Sequence, residues 1–85
     1  MALRRHPDLA WQQIGDEAVV MNLGQGRVLG LNPTGTLLWS LVEERDEDGL
    51  VAALVERFAT DADQAREDVR AFLMLLRERG LVGEA

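Results

Sequence analysis

The sequence predicts an α+β domain in which a three-stranded antiparallel meander is followed by three helices. Runs rich in Val, Leu and Ile occupy residues 11–14, 18–23 and 27–31, and glycine-containing turns separate them. These turns are too short for parallel crossovers, which need about a dozen residues. Beyond residue 32, apolar residues recur at three- and four-residue spacing, which is typical of helices.

The first helix is predicted to begin at about Pro33. Asn32 can accept hydrogen bonds from the free N–H groups of a first turn, and Pro33 is suited to the first helical position because its missing N–H costs little there. Trp39 is expected to anchor the packing of this helix on the sheet, together with Trp11. The other residues of the apolar face are Leu37, Leu38, Leu41 and Val42.

Two more helices follow. Asp48 and Gly49 are a predicted cap for a short second helix, and the charged run 43–48 before it is expected to be a solvated loop. Residues 60–63 open the third helix, and Gly80 ends it. Leu81 and Val82 are expected to fold back onto its last turn. This helix carries the strongest apolar stripe, formed by Ala65, Val69, Phe72, Leu73 and Leu76.

The length of 85 residues allows one domain, predicted over residues 11–85 after an N-terminal arm at residues 1–10. Cysteine is absent and His6 is the only histidine, so neither a metal site nor a cofactor is expected. No apolar run is long enough to span a bilayer, and the first residues lack the apolar segment of a signal peptide. We therefore expect a cytoplasmic protein without membrane contact.

The formal net charge of -6 argues against nucleic-acid binding, because phosphate backbones attract clustered positive charge. Ser40 is the only serine and His6 lies in the predicted arm, so no set of nucleophile, base and orienting residue can be assembled. The sequence therefore predicts a protein that is not an enzyme.

The third strand would leave one edge of the meander free. Residues 27–31 contain neither proline nor lysine to block that edge, and Gly30 would let another backbone approach. At 100° per residue, Arg66, Arg70 and Arg77 fall within about one-eighth of the third helix's circumference, beside its apolar stripe. This combination suits an extended peptide with acidic and apolar residues. The alternative is a short edge that needs no protection and a solvated row of arginines.

Two separated segments resemble the PqqD-like family of small leader-peptide-binding proteins, also called RiPP recognition elements. One is Leu31-Asn32-Pro33-Thr34-Gly35 with Trp39, and the other is the run 67–73 followed by Arg79-Gly80-Leu81-Val82. The resemblance covers roughly residues 6 to 83. It implies a winged helix-turn-helix-like peptide chaperone. Such a protein binds the leader of a ribosomally synthesised precursor and presents it to a modifying enzyme, often a radical SAM enzyme or a protease.

The resemblance also implies where the leader peptide binds, namely as an added strand beside the third strand, in a groove closed by the third helix. Carried onto this chain, the strand wall is Arg27, Val28, Leu29, Gly30 and Leu31. The helix wall is Arg66, Val69, Arg70, Leu73 and Arg77. The alternative function is a winged-helix DNA-binding regulator that reads DNA with the third helix. Both a monomer and a dimer paired through the free edge are compatible with the sequence.

Overall fold

The computed structural model describes residues 3–84 and confirms the predicted order of three strands and three helices. It adds a short strand at each end of that order. The strands are β1 (Leu3–Arg5), β2 (Leu9–Ile14), β3 (Glu17–Asn22), β4 (Arg27–Leu31) and β5 (Val82–Glu84). The helices are α1 (Pro33–Leu41), α2 (Glu47–Phe58) and α3 (Ala62–Glu78).

Strands β2, β3 and β4 form the predicted antiparallel meander, with β4 at one edge. The central strand, β3, alternates strictly between exposed and buried residues, which is typical of a sheet that packs one face against a core. Its inward residue Val20 pairs with Trp11 on one side and Leu29 on the other. Gly15 and Gly26 adopt positive φ angles in the two turns, where glycine meets no steric penalty.

Each helix begins at a side-chain cap. The side chain of Asn32 accepts a hydrogen bond from the N–H of Gly35, as the sequence predicts, and Asp61 caps α3 in the same way. The predicted cap of α2 at Asp48 is wrong, because Asp46 accepts the hydrogen bond from the Gly49 N–H. Asp48 therefore lies inside the first turn, where a negative charge is favourable at the positive end of the helix.

Residues of the predicted arm join the fold. The arm boundary at residue 10 falls within β2, while β1 pairs with β5 in a two-stranded sheet. The N–H of His6 donates to the carbonyl of Leu81, which holds the chain beyond α3 against this segment. Residues 1, 2 and 85, which the predicted arm and domain include, lie outside the described residues.

Arg5 fastens β1 to the helical layer. Its Nη1 and its backbone N–H donate to the carboxylate of Glu43, and its Nη2 donates to the carbonyl of Trp39. The guanidinium carbon lies 5.0 Å from the ring centroids of both Trp11 and Trp39. Each such cation–π contact contributes about 0.5–2 kcal/mol. Trp39 is fully buried as expected, but Trp11 is 39% exposed, so it covers the rim of the core rather than filling it.

The core lies between the meander and the three helices. It contains residues from both layers, with α3 contributing the largest continuous stripe and α1 contributing the buried indole of Trp39. Leu81 and Val82, expected to fold back onto α3, are buried in this core. The fully buried side chains with the largest volumes are Trp39, Leu38, Leu50, Leu54, Leu76, Val20, Val42 and Val69.

Candidate functional site: a groove beside an open strand edge

The outer edge of β4 is open. The strand pairs with β3 on one side, and no other strand within residues 3–84 pairs with its second side. A Cβ atom added at Gly30 would meet no atom within 4 Å, so the face of the sheet to which residue 30 points is open at this position. Exposed N–H and C=O groups of an edge strand can hydrogen bond to another extended chain.

A groove runs along this edge between β4 and α3, and we call it the β4–α3 groove. Its cavity volume is about 480 Å³, and the beginning of α1 forms its floor. Apolar residues supply most of its α3 wall, with Asp68 at the end nearest the beginning of the helix. The lining residues are Leu29, Gly30, Leu31, Asn32, Thr34, Gly35, Leu38, Asp68, Ala71, Phe72 and Leu75.

Phe72 joins the floor of the groove to its helical wall. Its ring is half-buried, and a Cβ added at Gly35 would come within 3.2 Å of its Cε1 atom. The glycine therefore lets the ring lie close against the first turn of α1, which the cap at Asn32 holds in place. This part of the groove is formed by contacts within the chain before any peptide binds.

Strand β4 turns alternate side chains toward the groove. Leu29 is half-buried and Leu31 is buried on the face toward the helices, and Arg27 shares their period along the strand. Val28 is exposed on the opposite face, which it shares with Gly30. Of the predicted strand wall, Leu29, Gly30 and Leu31 line the cavity directly.

The beginning of β4 borders a small cleft, which is lined by Arg27 and Arg79. Leu29 lines this cleft as well as the larger cavity, so the cleft adjoins the groove at this residue. Arg79 follows the last turn of α3, and the helix therefore runs antiparallel to β4 along the groove. The groove has Asp68 toward one end and two arginines at the other.

The predicted helix wall lies elsewhere on α3. Arg66 donates from Nη1 to Glu47 at 2.6 Å and from Nη2 to Asp48 at 2.8 Å. Arg70 donates from Nε to both carboxylate oxygens of Glu47 at 3.3 Å. These two guanidinium groups therefore face the first turn of α2. The prediction of a solvated loop at 43–48 holds for residues 43–46, which are exposed before α2, and is wrong for Glu47 and Asp48, whose carboxylates hold α2 against α3.

These ion pairs change the affinity of their members for protons. The side-chain hydrogen bond from Arg70 has the largest effect and lowers the pKa of Glu47. Desolvation has the next largest effect and raises this pKa, but the hydrogen bond from Arg66 and the charges of both arginines lower it again, so the net shift is downward. The hydrogen bonds to Asp48 and then Glu47 raise the pKa of Arg66. Both shifts favour the charged forms, so Glu47 and Arg66 are ionised at neutral pH.

The remaining predicted wall residues are not at the groove. Val69 and Leu73 are buried in the core, and Arg77 lines a surface depression with Arg70 and Met74 on the side of α3 away from β4. At 100° per residue, the arginines lie about a third of a turn from Ala71 and nearly half a turn from Leu75. The buried stripe separates the two sides. These positions do not favour peptide contact by the predicted helix wall, which stays a prediction. The residues of that wall are Arg66, Val69, Arg70, Leu73 and Arg77.

The sequence contained a signal for the residues that line the groove instead. Asp68, Ala71, Phe72 and Leu75 recur at three- and four-residue spacing along the other side of the same stripe. An alanine and a single carboxylate form a weaker sequence pattern than three arginines on one side of a helix. Which side of the stripe faces the sheet depends on how α3 is rotated against β4.

The described part of the chain contains no group of three or more His, Cys, Asp or Glu side chains placed to hold a metal ion. Within residues 3–84, none of the helices combines the length and apolar character that crossing a bilayer requires. We therefore take the β4–α3 groove as the candidate functional site.

Comparison with known proteins agrees with this architecture. The sequence model of the family "Coenzyme PQQ synthesis protein D (PqqD)" matches residues 17–82, which is more than half of the chain. The chain belongs to the PqqD family. The match includes β3, β4 and all three helices, and therefore both walls of the β4–α3 groove. A comparison with curated protein sequences gives no match.

Two solved structures share the fold over nearly the whole chain. One is TbiB1 in complex with the TbiA(beta) leader peptide, with 30% sequence identity, a TM-score of 0.87, and coverage of 96% of this chain and 98% of that chain. The other is lasso peptide synthetase B1 complexed with the leader peptide, with 20% identity, a TM-score of 0.85, and coverage of 98% and 99%. At the lower identity the likeness concerns the fold alone.

Proposed function

We propose that this protein is a non-catalytic adaptor that binds the leader of a ribosomally synthesised precursor peptide. The leader adds as a strand to the outer edge of β4, and its side chains enter the β4–α3 groove. The observation that carries this proposal is the unpaired strand edge beside a partly apolar groove. Backbone hydrogen bonds then supply affinity, while groove contacts supply selectivity.

Membership in the PqqD family and the likeness to TbiB1, which was solved with a leader peptide, support this choice of ligand. The strand residues 27–31 form one side of the proposed site. On α3 the proposed contacts are Asp68, Ala71, Phe72 and Leu75, because these residues line the groove.

The adaptor presents the bound leader to a separate modifying enzyme, either a radical SAM enzyme or a protease. The side chains that would be needed for catalysis in the adaptor itself have structural partners. The hydroxyl of Ser40 donates to the carbonyl of Leu37, and Nδ1 of His6 accepts from the N–H of Asp8. We therefore expect the isolated chain to show no turnover of the precursor.

The direct test is an NMR titration of the isotope-labelled protein with the leader of a short precursor encoded near its gene. We expect amide shifts concentrated in residues 27–31 and 68–75, and slower hydrogen exchange at the amides of β4. The expected affinity is nanomolar to low micromolar, or about 8–12 kcal/mol. A scrambled leader of the same composition is the control. Shifts of equal size scattered over the whole surface would refute strand addition.

We do not favour the DNA-binding alternative. The arginines that it would use on α3 include Arg66 and Arg70, and both already pair with carboxylates of α2. The net charge of -6 also repels a phosphate backbone. Retention on random duplex DNA with a steep salt dependence would restore this alternative.

A further inference from the structure

The two ends of the β4–α3 groove carry opposite charges. Asp68 lines the wide part of the groove, near the end of β4 and the beginning of α1. Arg27 and Arg79 line the narrow cleft at the beginning of β4. Between them the wall is mostly apolar, with Leu29 common to both parts. The groove is therefore a polarised surface, although the protein as a whole is acidic.

The distance between the charged groups is within about one residue of the length of four residues of an extended chain. Asp68 and Arg79 are eleven residues apart on one helix, which corresponds to about 16 Å at 1.5 Å per residue. Strand β4 spans about 13 Å between Arg27 and Leu31 at roughly 3.3 Å per residue. A guest strand beside β4 therefore places side chains four positions apart near the two ends, and both point to the same face.

The charged groups at these ends are available to a ligand. Within residues 3–84, neither Arg27 nor Arg79 has an ion pair or a side-chain hydrogen bond. Asp68 accepts a hydrogen bond from the neutral side-chain amide of Gln64 at 3.0 Å, which leaves its negative charge without a cationic partner. Arg66 and Arg70 differ in this respect, because carboxylates of α2 already neutralise them.

We infer that the β4–α3 groove selects extended peptides with one basic and one acidic side chain about four positions apart and an apolar side chain midway between them. The basic group pairs with Asp68, and the acidic group pairs with Arg27 and Arg79. The apolar group packs between Leu29 and Phe72. This inference rests on the proposed strand addition and names the kind of segment that is bound. It replaces the acidic and apolar peptide that the arginine row suggested.

The test uses twelve-residue peptides with alternating apolar residues that differ only at two positions four residues apart. These positions carry Glu and Lys, Glu and Glu, Lys and Lys, or Gln and Gln. The mixed peptide is made in both orders, because a guest strand can run parallel or antiparallel to β4, and the tighter order is used. Fluorescence anisotropy measures each dissociation constant. We expect the mixed peptide to bind about fivefold more tightly than either like-charged peptide, as for partly exposed ion pairs.

Two variants separate a local contact from a change in net charge. Asp68→Lys should transfer the preference from the mixed peptide to the Glu and Glu peptide, since both ends of the groove are then basic. Glu67→Lys changes the net charge equally at an exposed neighbouring position outside the groove lining, so it should keep the preference for the mixed peptide. The Asp68→Asn variant should remove most of the discrimination between the mixed and Glu and Glu peptides.

The outcomes distinguish this inference from the proposed function. Equal binding of all four peptides, or equal shifts of preference in Asp68→Lys and Glu67→Lys, would overturn the charge selectivity and leave strand addition intact. Failure of every peptide to bind, including the one with two Gln residues, would overturn both. Tighter binding of the mixed peptide, with the preference transferred only by Asp68→Lys, would establish the inference.

Discussion

The two sides of α3 differ in what their side chains already contact. The arginine side carries Arg66 and Arg70, whose guanidinium groups pair with Glu47 and Asp48 at the beginning of α2. The groove side carries Asp68, Ala71, Phe72 and Leu75, which line a cavity beside an unpaired strand edge. A row of charges on a helix is thus as suited to joining two helices as to binding a ligand. The groove side, which has the weaker sequence pattern, is the side that stays accessible to a ligand.

The first prediction concerns a variant whose larger side chain fills the groove. Ala71 is exposed within the groove lining, so Ala71→Trp should fill the space for the guest chain without disturbing the core. We expect leader affinity to fall by at least about tenfold, or roughly 1.4 kcal/mol. Isothermal titration calorimetry measures the loss. Ala52→Trp, at an exposed alanine of α2 outside the lining, is the matched control and should bind as the wild type does. Equal affinities of the two variants would place the guest elsewhere.

The second prediction removes the aromatic ring at the groove floor. Phe72→Ala should weaken leader binding by about fivefold and lower the free energy of unfolding by about 2 kcal/mol, because the half-buried ring packs on α1. Phe58→Ala, which removes a more exposed ring at the end of α2, should leave leader binding unchanged. Denaturant titration and calorimetry give the two quantities. A loss of stability without any loss of affinity would limit Phe72 to a role in packing.

The third prediction concerns the arginine side. Arg66→Gln combined with Arg70→Gln should change leader affinity by less than about twofold, because these groups face α2. Arg27→Gln combined with Arg79→Gln removes the same charge from the groove cleft and should weaken binding of the mixed-charge peptide by about threefold. Both pairs of variants are compared by anisotropy at one salt concentration. A larger effect at residues 66 and 70 would return the site to the wall that the sequence predicted.

The smallest effect is the pH dependence of the link between α2 and α3. The arginines lower the pKa of Glu47 from 4.5 in the folded state, so its contribution to stability is complete above that value. The contribution is lost as pH falls through the lowered value. Glu47→Gln should therefore be slightly less stable than the wild type at about pH 7, with a smaller difference at about pH 3. Thermal unfolding at low salt measures this difference, which added salt should reduce. A difference that persists unchanged at low pH would exclude the ion pairs as its source.

Much of the fold could be predicted from local patterns. The cap at Asn32, the proline after it and the turns around Gly15 and Gly26 act within a few residues, so the strand and helix order was correct. The strand at Leu3–Arg5 could not be predicted in the same way. Its pairing with β5 joins opposite ends of the chain, and two of the groups that hold Arg5, Trp39 and Glu43, are distant from it in sequence.

Of the two sides of the candidate site, only the β4 side could be predicted from the sequence. The sequence predicts a strand at residues 27–31 with a free edge, and no other strand within residues 3–84 pairs with that edge. The α3 wall was assigned to the arginines because they flank the apolar stripe. Asp68 and Ala71 flank the same stripe on its other side, and periodicity alone does not distinguish the two.

The sequence by itself determined the three-stranded meander, the three helices, their order and the family to which the resemblance pointed. These depend on spacing and on caps that act over a few residues. Only the tertiary structure decided which side of α3 lies against β4 and which arginines find partners. Those outcomes depend on the rotation of packed helices and on contacts such as Arg66 with Glu47, whose members are far apart in the sequence.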